Sequence, residues 1–143
     1  MTSALSVKKA LVRAFTNHNA FKNRQVSVGH PGSEMEDECV FIDRVRNSEQ
    51  ARSLGKAHRR EELTVDVAIV SQVRSRDLLE SEERAFQMLA GVEEAIAADS
   101  SLDGRVLIAE VTGWEQRSFN TDQSNIIEIT VSVRVLANKD LED

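Results

Sequence analysis

The spacing of apolar residues divides the chain into seven elements. Over residues 4–16, Val7, Leu11, Ala14 and Phe15 recur at helical intervals with Ala10 beside them, while Lys8, Lys9 and Arg13 face away. That pattern predicts a first helix, with Ser3 or Ser6 as its cap. A short strand is expected over 24–29, carrying Val26 and Val28 on one side, followed by a turn at His30-Pro31-Gly32 and an acidic connection through Glu34, Glu36, Asp37 and Glu38. Residues 39–46 read as the next strand, with alternation too imperfect to assign its faces. Over 61–73 the period is two: Leu63, Val65, Val67 and Ile69 point one way, and Thr64, Asp66 and Ala68 the other. A second helix is expected from a cap near Ser81, with Glu82 and Glu83 at the positive end of its dipole. Phe86, Leu89, Val92 and Ile96 form its stripe, broadened by Ala85 and Ala97. After a turn through Leu102-Asp103-Gly104, strands are predicted over 105–117 and 126–136, joined by a hairpin loop at 118–123.

The order is α-β-β-β-α-β-β. Two one-sided helices and several half-apolar strands predict an α+β fold: an antiparallel or mixed sheet with both helices packed on one face. The expectation is a single domain over 1–143, with a long loop at 47–60 and a polar tail at 138–143. Loops of that length usually have a task or are disordered, so 47–60 is the leading candidate for a partner-contacting element. The final strands exceed the usual length, and projecting strands satisfy their backbone groups best by pairing with another chain.

Charge alters this picture more by distribution than by sum. Residues 1–60 hold 11 Lys/Arg against 6 Asp/Glu, or +5, and residues 61–143 hold 7 against 18, or −11, giving the net −6. If folding leaves the halves apart, the molecule has a basic and an acidic side, which suits head-to-tail assembly; if it mixes them, the charges serve solubility. General nucleic-acid affinity is disfavoured, since it requires a concentrated basic footprint. Cys39, the single cysteine, is expected to fill core space; it excludes an internal disulfide and fits a reducing compartment. Residues 1–11 have neither the apolar run of a signal peptide nor that of a membrane span, so synthesis and folding in the cytosol are expected, with no membrane partner.

Candidate chemistry is sparse. His18, His30 and His58 fit no metal-binding spacing, the glycines are scattered, and no nucleophile elbow is present. Glu61 and Glu62 open a strand, where solvent exposure is the natural reading. No enzyme activity, metal or cofactor is expected. Trp114, late in a strand after Gly113, is read either as core cover for the sheet edge or as a rigid interface anchor.

The layout resembles the tail terminator (tail completion) proteins of long-tailed bacteriophages. The resemblance runs through the helix Val7–Phe15, the turn at His30-Pro31-Gly32, the strand Val40–Val45 and its variable loop. It continues in the segment Arg59-Arg60-Glu61-Glu62-Leu63-Thr64-Val65-Asp66-Val67, the helix Ala85–Ala97, and the hairpin Val106–Trp114 with Ile127–Leu136. It covers nearly the whole chain through soft motifs. It implies a virion protein at the tail–neck junction: a hexameric ring that caps the tail tube, ends its polymerisation, and offers a surface to the head–tail connector. DNA would pass through the ring channel without sequence-specific binding. Arg52, Lys56, Arg59 and Arg60 in the long loop, with Phe119 and Asn120 in the hairpin, are the contact candidates on grounds of exposure.

Overall fold

A computed structural model describes residues 2–47, 60–73, 77–121 and 124–138. Helix α1 (Ala4–Thr16) buries Val7, Ala10, Leu11 and Phe15, the stripe its spacing demands. Arg13 in its last turn faces the negative end of the helix dipole. A short 3₁₀ turn over Asn19–Phe21 follows, nucleated by His18, whose Nδ1 accepts from the Ala20 amide. The turn sets Phe21 against Phe15, with ring centroids 5.8 Å apart.

Five strands form one mixed sheet in the order β1-β2-β3-β5-β4. Strand β1 (Gln25–Ser27) runs parallel to β2 (Glu38–Asn47); β2–β3, β3–β5 and β5–β4 are antiparallel. The centre is β3 (Arg60–Val73) against β5 (Asn125–Asn138), in unbroken register from Arg60 opposite Asn138 to Val73 opposite Asn125. Both strands alternate β-branched residues with polar ones, the composition a half-covered pleated strand favours. Strand β4 (Ile108–Asn120) forms the outer hairpin arm, with an irregularity between Val111 and Gly113.

Helix α2 (Leu78–Ala98) and α1 cover one face of the sheet. There Leu63, Val65, Val67 and Ile69 of β3 and Ile127, Ile129, Val131, Val133 and Val135 of β5 meet Val7, Leu11, Met88, Val92 and Ile96. This is the α+β architecture expected from the sequence. Helix α2 passes so near the 3₁₀ turn that a Cβ on Gly91 would lie 2.5 Å from the Ala20 Cβ, so a larger residue there would push the helix outward.

Several boundaries differ from the sequence reading. The cap of helix α2 lies four residues before the expected one, at Asp77, whose side chain accepts from the Leu79 and Glu80 amides. Ser81 is instead buried within the first turns, its hydroxyl donating to the Asn125 carbonyl at 3.3 Å. Ala97 is exposed, and Met88, Gly91 and Ala95 fill the buried face. The strand expected over 105–117 lies at 108–120. Val106 belongs to the preceding turn, where Leu102, Asp103 and Gly104 adopt left-handed backbone and the Asp99 carboxylate accepts from Ser101 Oγ and the Asp103 amide. Ser118, Phe119 and Asn120 are therefore strand residues, not loop residues. The expected strand over 24–29 shortens to three residues.

Candidate assembly surfaces

Glu61 departs most from expectation. Alternation on β3 points it to the helix-covered side with Leu63 and Val65, at the end where α1 begins, and it is 1% exposed. A buried carboxylate requires donors. Glu61 accepts from the Ser3 amide at 2.8 Å, Ser3 Oγ at 2.7 Å, Thr2 Oγ1 at 2.7 Å and Asn47 Nδ2 at 2.7 Å. Ser3 occupies the N-cap of α1 without capping through its own side chain. The negative group at the helix start is thus supplied from β3, where it complements the helix dipole. Solvent exposure holds only for Glu62, which points to the other face and pairs with Arg134.

The opposite sheet face divides in two. At one end Cys39, Phe41, Ala68 and Val70 form a second small cluster, flanked by Met35 and Ile126. Cys39 is fully buried as the core filler expected, and burial, with a smaller effect of Glu36, pushes its thiol up to about 11. The thiol therefore stays protonated at neutral pH and is a poor nucleophile. At the other end the strands are cross-linked by charge. Asp66 on β3 accepts from Arg44 Nε at 2.8 Å and Arg46 at 3.3 Å on β2. Arg134 on β5 bridges Glu62 on β3 and Glu110 on β4. At the apolar end, in line with Val70, Arg117 on β4 meets Glu128 on β5 at 2.8 Å. The Glu128 hydrogen bond raises the Arg117 pKa, and those of Glu62 and Glu110 raise that of Arg134. A shallow polar hollow of about 360 Å³ lies among Asp66, Gly113, Glu115, Thr130 and Ser132.

Folding mixes the charged halves in the sheet, since β2 and β3 lie side by side and Asp66 pairs with both Arg44 and Arg46. The helix layer keeps them apart. Helix α1 carries Lys8, Lys9 and Arg13 and no acidic residue; α2 carries Glu80, Glu82, Glu83, Glu93 and Glu94 against Arg84 alone. A groove of about 480 Å³ runs between them, with Ala14, Ala95 and Leu102 in its wall and Lys9, Arg13 and Arg105 on its rim.

Among the residues singled out in the sequence, Trp114 is 47% exposed on β4, its ring edge-on to Phe86 of α2 at 5.4 Å. At that exposure it is not the core residue of the first reading, although its ring rests against the helix layer, and the surface it leaves open is what the interface reading requires. Phe119, 40% exposed, lies under the Arg117 guanidinium at 5.4 Å, and Asn120 ends β4 in solvent opposite Asn125. Arg60 is the exposed first residue of β3. Arg52, Lys56 and Arg59, like most of the 47–60 loop and the tail beyond Asn138, lie outside the described residues. The structure therefore groups Trp114, Phe119 and Asn120 along one strand and leaves Arg60 at the far end of the sheet. Sequence reasoning missed Glu61, and it missed Asp66 as a charge centre. An acidic residue inside an otherwise apolar alternation was the available signal for Glu61.

Among the described residues no group of three or more His, Cys, Asp or Glu side chains is placed to hold a metal ion, and no helix is long and apolar enough to cross a membrane. No protein-family model matches the chain, and no curated protein matches it.

Proposed function

We propose that this chain is a tail terminator: a virion protein whose copies form a ring, a hexamer by the resemblance. The ring closes the end of the phage tail tube, stops its growth and meets the head–tail connector, with DNA passing through the channel. The reading rests on the resemblance in layout. The observation that best supports it is the helix layer, where a wholly basic α1 lies beside a predominantly acidic α2. Opposite charges on two different patches of one molecule favour a contact in which α1 of one copy meets α2 of the next. That is a heterologous contact, and it closes into a ring if the rotation per copy divides a full turn. Termination then needs no bond chemistry. One ring face matches the tube and the other presents no further acceptor for tube subunits.

The deciding experiment deletes the gene from a phage or prophage carrying it and measures tails by electron microscopy. Abnormally long tails that fail to join heads are the expected result. Tails of normal length, joined to heads, would overturn the proposal.

A further inference from the structure

Edge strands expose unpaired backbone groups, and proteins guard them with short length, lysine, proline, bulges or inward-pointing charges. The edge at β1 is guarded. It is three residues long, and the chain beside it is tied down by Gln25, whose side chain bonds the Glu34 carbonyl and the Glu36 amide. The edge at β4 differs. It runs 13 residues without lysine or proline, and among the described residues it is paired on one side only. Its one irregularity sits between Val111 and Gly113, leaving 113–120 as a regular run. All three of its charges, Glu110, Glu115 and Arg117, lie on the open face with their β5 partners Arg134, Thr130 and Glu128; the helix-side residues Trp114, Gln116, Ser118 and Asn120 are uncharged.

We infer that β4 is a self-association edge: two copies pair their β4 strands antiparallel about a two-fold axis through Gln116, joining two five-stranded sheets into one. The sequence of the strand is self-complementary in this register. Glu115 of each copy falls opposite Arg117 of the other, twice over. Phe119 falls opposite Gly113, where a Cβ would meet nothing within 4 Å and the polar hollow opens. Trp114 falls opposite Ser118, and Gln116 opposite itself. The neighbouring registers are repelled: a dyad at residue 115 sets Glu115 against Glu115, and one at 117 sets Arg117 against Arg117. Arg117 can serve both its own Glu128 and the incoming Glu115, because a guanidinium offers five donors. The helices do not obstruct the approach, since α2 packs mainly over β3 and β5, inside the edge. This inference is independent of the tail-terminator reading. A two-fold contact closes on itself and is distinct from the head-to-tail contact of a ring, so the two can fail separately.

The test is sedimentation of the full-length chain with two sets of variants on β4, each checked for native circular dichroism. The parent should show a concentration-dependent monomer–dimer equilibrium. Glu115→Lys should weaken the dimer by about tenfold or more, and adding Arg117→Glu should restore it. Arg117→Glu also sets a second carboxylate opposite Glu128 at an exposed pair, a repulsion whose effect on folding the circular dichroism check reads. Under mild oxidation Gln116→Cys should form disulfide-linked dimers, while Thr112→Cys, which falls opposite Asn120, should not; the buried Cys39 does not compete. A parent that is monomeric at every concentration overturns the inference. So does a Glu115→Lys variant as dimeric as the parent, or cross-linking as fast at 112 as at 116.

Discussion

The two faces of the sheet share the same strands and are held by different forces. The helix-covered face is a continuous aliphatic surface under α1 and α2, in which Val67, Ile129, Val131 and Val133 are fully buried. The open face carries a small apolar cluster at one end and cross-strand ion pairs at the other. Apolar burial acts through removed area and tight packing, and salt does not weaken it. Exposed ion pairs act through weak, screened attraction. The covered face therefore sets stability, and the open face sets register and remains able to exchange its partners. Glu61 is the exception, because a charge lies on the face that otherwise excludes charge.

Three substitutions probe this division. Ile129→Ala, at the centre of the covered face, should cost about 4 kcal/mol, read from the urea unfolding midpoint at unchanged slope; a loss below 1 kcal/mol would mean that the helices do not seal that face. Glu61→Ala should cost about 3 kcal/mol, since it strands the buried amide and hydroxyl donors of Ser3. Helical circular dichroism should fall with it, because α1 loses its cap. A neutral outcome would place Glu61 with the surface carboxylates. The smallest effect belongs to Arg134→Ala on the open face. Its midpoint should remain close to the parent's at physiological salt, and a large shift would show that the ion pairs carry stability after all.

What the sequence disclosed follows the same division. The covered face was legible because burial on one side only forces a period of two on β3 and β5 and a stripe on α1. The ends of α2 and β4 were not. Leu78 and Leu79 are exposed apolar residues that belong to no stripe, so the Asp77 cap before them gave no periodic signal, and Ser81-Glu82-Glu83 imitated a helix start. Val106 is buried from a turn rather than a strand, which moved the expected β4 three residues early. Glu61 was misread because its donors lie 58 and 14 residues away in the chain, beyond any local pattern. The self-complementarity of 113–119 was present in the sequence all along, but it acquires meaning only once β4 is known to be an edge.

The link between Ser3 and Glu61 also constrains the order in which the chain can organise itself. A 13-residue helix is marginal alone, and α1 carries no acidic residue in its first turn and receives no cap from its own Ser3 side chain. What completes its start is encoded nearly sixty positions later. As the polypeptide emerges from the ribosome, α1 is therefore synthesised first but finished only when β3 arrives to close it, and its apolar stripe waits meanwhile without a sheet to rest on.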